Sequence, residues 1–422
     1  MTPEVRDRID QIRNGCVPKG YKRTKVGIAP IEWSEIRFKD VFSRLTRRNT
    51  ENNSNVLTIS AQYGLISQQD FFNKSIASED KSNYFLIYKG EFAYNKSYSN
   101  GYPYGALKKL DMYENGIVSP LYICFAASNK NKCPDFYVQY FEAGKMNSEI
   151  RAFAQEGARN HGLLNIAVDD FFNSYLLYPW LPEQQKIADI LTTQDKVIEM
   201  KEKRLAEKQR QKKYLMQQLL TSKKRLPGFD GKWKKTPLKE LLKERKTYSI
   251  KGAEYPHVTL STEGIYAKSD RYDRDHLVKD EEKEYKITRK GDICYNPANL
   301  KFGVICMNNF GDAIFSPIYV TFEVVGNVSS AFLANYLMRW DFINAVRKYE
   351  EGTVYERMAV KPEDFLKYEI ILPPYEEQVA IAEILSAADR ELELLHQDLE
   401  QEKQKKKALM QLLLTGIVRV NM

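Results

Sequence analysis

Cysteine and histidine are scarce in this chain of 422 residues. Its five cysteines form no C-x-x-C pair and no regular framework, which predicts free thiols and a reducing cytoplasm. The four histidines are scattered and give no metal-ligand spacing. The first residues are charged and contain no apolar signal core, and no apolar run approaches the length of a membrane span. We therefore expect a soluble cytoplasmic protein.

Motifs of common cofactor and nuclease sites are missing or incomplete. There is no G-x-x-x-x-G-K-[ST] phosphate loop and no G-x-G-x-x-G after a predicted strand. The stretch 295–298 only faintly resembles the N-P-P-[YF] motif of amino-methyltransferases, because it lacks the second proline and the aromatic residue. Pro134-Asp135 followed by Glu142 and Lys145 hints at a nuclease motif, but the Glu-to-Lys spacing is one residue too long. The sequence predicts no catalytic, cofactor or metal site in this chain.

The composition favours a globular protein with more than one domain. Hydrophobic residues make up 43% and charged residues 28%, which is typical of chains that bury real cores. A length of 422 residues predicts two or more domains. The net charge of +8 weakly favours a polyanionic partner. Aromatic residues, 12% of the chain, suit surfaces that pack on bases and equally suit β-sheet cores.

An internal repeat organises the chain. The stretch P-E-Q-Q-K-I-A-D-I-L occurs again as E-E-Q-V-A-I-A-E-I-L, so that Gln184 falls on Gln378 at an offset of 194 residues (378 − 184). The stretch L-M-Q-Q-L-L-T keeps this offset in its copy, L-M-Q-L-L-L-T. The preceding parts also repeat, since Trp33 matches Trp233, and K-G-[ED]-x-x-Y-N and S-P-x-Y each occur twice. Internal duplication at a period too long for a solenoid follows.

The repeat predicts five segments. Short β-branched and aromatic runs indicate strands, and amphipathic stretches at 137–153 and 331–349 each predict a helix. The predicted fold class is therefore α+β, with two tandem mixed α/β domains related by pseudo-twofold symmetry and separated by two long antiparallel helices. The segments are an N-terminal arm (1–19), a first domain (20–178), a central helix (179–225), a second domain (226–372) and a C-terminal helix (373–422).

The two long helices share a heptad pattern of apolar residues. This pattern predicts that they pair as a coiled coil, and the alternative is that each helix packs only on its own domain. Lys212 and Lys406 occupy matched positions of the apolar seam, where a polar residue can set the register. The basic face of the first helix is either a solvated face or a surface for phosphate or an acidic partner. The predicted seam residues are Leu191, Ile198, Leu205, Leu219, Leu385, Leu392, Leu399 and Leu413.

With these motifs, each present twice, the chain resembles the specificity (S) subunit of type I restriction–modification systems. The resemblance covers Gly20 to Gly416 and leaves the role of the arm before Gly20 open. It implies a non-catalytic subunit whose two domains each read one half of a split, asymmetric site in double-stranded DNA. It also implies that the helices space the domains and dock two modification (methyltransferase) subunits, which restriction (endonuclease/translocase) subunits join. Methyl donor, ATP and Mg would then belong to the partner subunits.

Residues that read bases are expected on polar, basic or aromatic loops outside the shared frame, although each could also be an ordinary surface residue. The candidates of the first domain are Arg44, Arg47, Arg48, Gln62, Tyr63, Asn95, Lys96, Tyr98, Tyr102, Tyr104, Arg159, Asn160 and His161. Those of the second domain are Lys243, Arg245, Lys246, Thr262, Glu263, Arg271, Tyr272, Arg274, Asn296, Asn299, Lys301, Tyr355, Glu356 and Arg357.

Two other functions remain open from the sequence. One is a self-contained DNA nuclease or methyltransferase with a diverged active site, which turnover by the isolated protein with DNA, methyl donor and divalent metal would reveal. The other is a coiled-coil scaffold that shows no preference among random duplexes.

Overall fold

The chain forms two compact units in a computed structural model that describes residues 2–60, 63–72, 80–128, 133–156, 164–250, 254–268, 284–350 and 358–420. Unit 1 contains Met1–Glu202 and Asp398–Met422, and unit 2 contains Lys203–Gln397. Each unit therefore includes one part of each long helix.

Unit 1 is a mixed α+β unit of short antiparallel strands. Its strands are β1 (Tyr21–Thr24), β2 (Gly27–Pro30), β3 (Ser34–Arg37), β4 (Phe42–Leu45), β5 (Leu57–Ser60), β6 (Gly64–Ser67), β7 (Phe85–Tyr88), β8 (Phe92–Asn95), β9 (Ala106–Lys109), β10 (Asn115–Val118), β11 (Ile123–Ala127), β12 (Gln155–Glu156), β13 (Leu164–Asn165) and β14 (Tyr175–Tyr178). Its helices are α1 (Pro3–Arg13), α2 (Phe38–Val41), α3 (Gln68–Phe72), α4 (Pro134–Glu142), α5 (Asn147–Phe153), α6 (Val168–Asn173) and the first part of α7 (Leu181–Leu219). The central sheet has the order β4-β11-β8-β9, and β5 pairs with β6 in a hairpin.

The core of unit 1 is dominated by aromatic residues. Phe38 and Phe42 pack edge-on against Phe125, with ring centroids 5.0 and 5.1 Å apart. Leu191 from α7 and Leu413 from the second long helix belong to the same buried cluster. Burial of these rings joins the sheet to both helices, since each large aromatic side chain contributes up to about 3 kcal/mol when removed from water.

Unit 2 repeats this arrangement. Its strands are β15 (Lys234–Pro237), β16 (Leu242–Glu244), β17 (Tyr248–Ile250), β18 (Val258–Ser261), β19 (Gly264–Ala267), β20 (Glu284–Thr288), β21 (Ile293–Tyr295), β22 (Ile305–Met307), β23 (Ala313–Phe315), β24 (Val320–Val324) and β25 (Glu369–Leu372). Its helices are the second part of α7, α8 (Ser330–Leu337), α9 (Trp340–Val346), α10 (Pro362–Leu366) and the first part of α11 (Tyr375–Leu413). The central sheet has the order β16-β24-β21-β22, and β18 pairs with β19 in a hairpin.

A smaller aromatic stack forms the core of unit 2. The ring of Tyr295 stacks on Phe365 at 4.9 Å and on Phe322 at 5.9 Å. Leu219 of α7 and Leu385 of α11 belong to the same buried cluster. Both units therefore bury seam leucines of both long helices against a domain core.

The two long helices are each 39 residues long, or about 58 Å at about 1.5 Å per residue. Shortly after α7 ends, Ser222 adopts a left-handed backbone with φ of 58°, and the matching Gly416 after α11 has φ of 67°. A Cβ on Gly416 would also collide with the ring of Pro30. Glycine is therefore required at position 416, while its counterpart tolerates serine with some strain.

Within each unit the two helices run in opposite directions and are joined by ion pairs. In unit 1, Lys201 pairs with Asp398 at 2.6 Å, and Lys406 pairs with Asp195 at 2.5 Å. In unit 2, the seam residue Lys212 pairs with Asp389. The predicted seam leucines at 191, 205, 219, 385, 399 and 413 are buried, while Ile198 and Leu392 are half-buried. The predicted α+β fold with an antiparallel coiled coil is confirmed, whereas the spacer role and the five segment boundaries stay predictions.

Two details of the predicted fold are wrong. The single helix predicted over 137–153 is two helices, α4 and α5, because Gly144 between them has φ of 65°. The helix predicted over 331–349 is likewise divided into α8 and α9, because Arg339 between them is extended, with φ of −71° and ψ of 137°.

The N-terminal helix α1 lies against the end of the chain. The Arg8 guanidinium donates to the carbonyl oxygen of Ile417. The Tyr21 hydroxyl donates to the carbonyl oxygen of Gly416 at 2.6 Å. Through these contacts the arm and the strand that follows it hold the segment after α11 within unit 1.

Candidate nucleic-acid interface

A buried carboxylate anchors the start of α7 in unit 1. Glu183 is 1% exposed and accepts a hydrogen bond from Trp33 Nε1 at 2.9 Å. It also accepts from Arg419 Nε at 2.6 Å and Nη2 at 2.9 Å. The hydrogen bonds to Glu183 raise the pKa of Arg419 above its ordinary value. The glutamate of the repeated E-Q pair (Glu183-Gln184) is therefore part of the structural frame.

Unit 2 contains the same arrangement at the start of α11. Glu377 is 0% exposed and accepts from Arg225 Nε at 2.6 Å and Nη2 at 2.7 Å. Trp233 Nε1 donates to it at 3.1 Å. Since the three side chains match those of unit 1, this frame is shared, and differences between the units must be sought in the loops.

The K-G-[ED] motif is a turn stabilised by its own carboxylate. In unit 1, Glu91 accepts from the backbone N–H of Tyr88 at 2.8 Å and pairs with Arg47 at 3.0 Å. Gly90, which lies between Tyr88 and Glu91 in the sequence, has a φ of 87°, a backbone conformation that favours glycine. The hydrogen bond to Glu91 raises the pKa of Arg47. The guanidinium of this candidate DNA contact is thus engaged within the frame.

The same turn in unit 2 engages a second candidate. Asp292 accepts from the backbone N–H of Arg289 at 2.8 Å and from Arg245 Nε and Nη2 at 2.8 and 2.9 Å. Gly291 has φ of 91°, and the hydrogen bond to Asp292 raises the pKa of Arg245. The assignment of either arginine to DNA contact stays a prediction.

The asparagine of the Y-N motif begins a loop in each unit, and the two loops differ in sequence. Asn95 Oδ1 accepts from the backbone N–H of Ser97 at 3.1 Å, and Asn296 Oδ1 accepts from that of Ala298 at 3.1 Å. Such a side-chain turn mimics a backbone turn and fixes where the loop leaves its strand. Lys96, beside Asn95, is half-buried, and burial lowers its pKa.

Exposed aromatic residues lie on these two loops. Tyr98 in unit 1 is 63% exposed, and Phe302 in unit 2 is 59% exposed. The ammonium of Lys301 lies 5.2 Å from the Phe302 ring centroid, and Asn299 donates its backbone N–H to the Asn296 carbonyl at 3.1 Å. Phe302 is not among the residues that the sequence predicted to contact DNA. It could have been found from the sequence, because it is an aromatic residue next to Lys301 in the loop that follows the Y-N motif.

A groove of 630 Å³ in unit 1 brings two candidates together, Tyr63 from the β5–β6 turn and Tyr102. Tyr63 is 52% exposed. The Tyr102 hydroxyl donates to Glu142 at 2.6 Å, and burial, with the charge of Glu142, raises its pKa.

Unit 2 has a groove of 590 Å³ beside its matching hairpin, and it brings Thr262 and Glu263 together. Both residues are exposed. The backbone of Glu263 is held in the turn, because its N–H donates to Ser261 Oγ at 3.1 Å and its carbonyl oxygen accepts from the Tyr266 hydroxyl at 2.8 Å. Lys212 and Asp389 of the helix pair also line this groove. The two hairpin turns thus present tyrosine in one unit and threonine with glutamate in the other.

Other basic candidates lie on or after the first strand of each central sheet. Arg44 on β4 and Lys243 on β16 are exposed. Arg48 is exposed, donates to the carbonyl oxygen of Asn83 and lies over the Phe85 ring, 4.8 Å from its centroid.

The remaining candidates differ in exposure. Lys246 is exposed and pairs with Glu244 at 3.2 Å. Tyr104 is half-buried and packs against the core of unit 1, where its carbonyl accepts from the Tyr94 hydroxyl at 2.6 Å. Ten candidates lie outside the described residues: Gln62, Arg159, Asn160, His161, Arg271, Tyr272, Arg274, Tyr355, Glu356 and Arg357.

Within the described ranges, no group of three or more His, Cys, Asp and Glu side chains is arranged to hold a metal ion. Among the same residues, no helix has the length and apolar character needed to cross a membrane.

Comparison with known proteins finds a family match over part of the chain and a relative along most of its length. Residues 230–403 match the profile of the family described as the type I restriction modification DNA specificity domain. The type I restriction enzyme MjaX specificity subunit of Methanocaldococcus jannaschii is 24% identical over 441 residues, covering 95% of this chain and 97% of that protein.

Two solved structures share the fold. A chain from work on complex assembly and conformational transition of the type I R-M system has a TM-score of 0.55 at 16% identity, covering 92% of this chain and 99% of that one. The type I restriction–modification system S subunit from M. genitalium has a TM-score of 0.54 at 13% identity, covering 92% and 96%.

Proposed function

We propose that the two units of this chain each read one half of a bipartite, asymmetric site in double-stranded DNA, because residues 230–403 match the profile of the type I restriction modification DNA specificity domain. The chain supplies the specificity of a type I restriction–modification complex and positions the partner subunits on the DNA.

One observation carries the proposal: the two units share a buried frame and differ in their exposed loops. The frame includes the matched ion pairs Glu183–Arg419 and Glu377–Arg225. A protein that reads two different half-sites needs a common scaffold and two different contact surfaces, because loops carried on a rigid frame determine recognition.

The exposed loop residues suit contact with nucleic acid. Lysine ammonium groups bind phosphates as point charges, and Lys301 can also donate to the O6 and N7 acceptors of guanine. Tyr98 and Phe302 offer apolar faces that can contact a thymine methyl group or the sugar edge. The Tyr98 loop and the Lys301-Phe302 loop therefore support recognition of different sequences.

Catalysis and cofactors are assigned to the partners in this proposal. Two modification subunits would methylate adenine with their methyl donor, and restriction subunits would use ATP and Mg. The chain itself acts as a non-catalytic subunit in the cytoplasm, where its DNA substrate lies. The family match does not favour the self-contained nuclease or methyltransferase.

Half-site binding tests the proposal. Mapping methylated adenines in a genome that carries this protein and its partners first gives the site. Tyr98→Ala should then weaken binding by about 1–3 kcal/mol when the half-site read by unit 1 is intact, and should lose that effect when this half is scrambled. Phe302→Ala should show the same dependence on the other half-site.

Leu121→Ala and Ile318→Ala are matched controls, because both replace exposed apolar residues, 60% and 61% exposed, outside these two loops in the sequence. An equal loss at both half-sites from either test variant would contradict separate readers. Methylation or cleavage by the isolated chain with DNA, methyl donor and divalent metal would instead support an enzyme.

A further inference from the structure

A pocket of 410 Å³ in unit 1 lies between the turn after α4 and the last part of α11. Apolar side chains and lysines from three elements meet there, so that the pocket combines an apolar surface with a high density of positive charge. The residues concerned are Lys145, Ile198, Lys403, Lys406, Lys407 and Met410, and they are called the lysine pocket below.

Two of the four lysines are neutralised within unit 1. Lys403 pairs with Glu202 at 3.1 Å, and Lys406 pairs with Asp195 at 2.5 Å. Glu142 also lines the lysine pocket. Its carboxylate forms an ion pair with Lys108, a residue outside the pocket.

Lys145 and Lys407 have no carboxylate partner among the residues that the structure describes. Burial lowers the pKa of Lys145, and no neighbouring acid counteracts this effect. Placing an ammonium group in a partly desolvated site without a counter-ion costs free energy. A ligand that brings a carboxylate next to Lys145 would offset this desolvation cost. The presence of an unpaired, half-buried lysine is therefore explained if the pocket binds an acidic ligand.

We propose that the lysine pocket binds an acidic segment of a protein partner. A carboxylate side chain of the segment lies between Lys145 and Lys407, and its apolar neighbours pack on Ile198 and Met410. An extended side chain can reach a half-buried ammonium, whereas the phosphates of a stiff duplex lie on a convex surface and cannot follow it into the pocket. The proposal goes beyond DNA reading and does not depend on it.

The first helix repeats the helix lysines of the lysine pocket only in part. At the helix offset of 194 residues, Lys403 corresponds to Gln209 (403 − 194). Lys407 corresponds to Lys213 (407 − 194), so the helix lysine that contacts the carboxylate has a counterpart in the first helix.

A fluorescein-labelled peptide of alternating leucine and glutamate pairs tests the proposal on the full chain by fluorescence anisotropy. Lys145→Met and Lys407→Met should each weaken binding at least ~10-fold, because each removes a charge that contacts the carboxylate. Lys405→Met is the matched control, since Lys405 lies on the same helix, outside the lysine pocket, and pairs with Glu402 at 3.3 Å. It should change binding less than about 2-fold, and a peptide with glutamine in place of glutamate should not bind.

An equal loss in Lys405→Met would overturn the proposal, since it would show attraction by bulk charge alone. Competition by inorganic phosphate as effective as that by unlabelled peptide would also overturn it, as would competition by duplex DNA. Thermal melting by circular dichroism checks folding, and Lys407→Met decides the matter if Lys145→Met does not fold.

Discussion

Replacing Arg225 with leucine should destabilise unit 2 much more than an ordinary surface substitution. Glu377 is 0% exposed, and its carboxylate accepts hydrogen bonds from the side chains of Arg225 and Trp233. Without Arg225, Trp233 Nε1 at 3.1 Å is the remaining donor of the two. Breaking a buried ion pair by removing one partner costs about 3–5 kcal/mol. Because the Arg225 side chain is 29% exposed, we expect the lower end of that range, about 3 kcal/mol.

Urea unfolding followed by circular dichroism measures this loss. Tryptophan fluorescence serves as a second probe, since Trp233 donates a hydrogen bond to Glu377, the residue that loses its ion-pair partner. Lys224→Leu is the control, because Lys224 is exposed and adjacent in sequence, and it should change the free energy of unfolding by less than about 0.5 kcal/mol. The double variant Arg225→Leu/Glu377→Leu should recover at least half of the loss, because no uncompensated charge then remains buried.

The reasoning is refuted if the single variant loses less than about 1 kcal/mol, or if the double variant is no more stable than the single. The matching pair in unit 1 provides an independent repetition. Arg419→Leu should destabilise unit 1 by a somewhat smaller amount, because the Arg419 side chain is 35% exposed while Glu183 is 1% exposed.

Three further outcomes follow from single positions. Gly416→Ala should lower the melting temperature, whereas Ser222→Gly at the matching position should raise it, by an amount equivalent to roughly 1 kcal/mol, because φ is positive at both. Because the pKa of Lys145 is lowered in the folded chain, the folded chain binds fewer protons at this residue than the unfolded chain. The free energy of unfolding should therefore rise as the pH increases towards 10.5, the ordinary lysine pKa. Urea titrations at several pH values should show that Lys145→Met removes this contribution. Lys301→Ala should reduce the slope of log affinity against log salt by about 1 unit, measured by DNA titration, if it contacts a phosphate.

The sequence predicted the elements that repeat and the seam that joins the helices. A fixed offset and a heptad pattern are local signals, and the burial of Leu191, Leu385 and their relatives confirms them. The sequence did not show that Glu183 meets Trp33 and Arg419, which lie 150 and 236 residues away along the chain. No pattern of spacing predicts such a contact, because folding alone brings the three side chains together.

The same limit affected the candidate DNA contacts. Arg47 and Arg245 follow the first strand of each central sheet and have the residue type that contacts bases, but their guanidinium groups pair with Glu91 and Asp292. Those acids lie 44 and 47 residues further along the chain, so the pairing becomes visible only in the fold.

Duplication makes it possible to separate scaffold from recognition surface within one chain. A side chain that makes the same buried contact in both units, such as Glu183 and Glu377, serves the frame and cannot explain how two half-sites are distinguished. Specificity must come from exposed positions at which the units differ, and the loop after Y-N is such a position, with Tyr98 in unit 1 and Lys301-Phe302 in unit 2. Exchanging these two loops between the units should therefore exchange their half-site preferences while leaving the ion pairs of the frame, and the stability of each unit, unchanged.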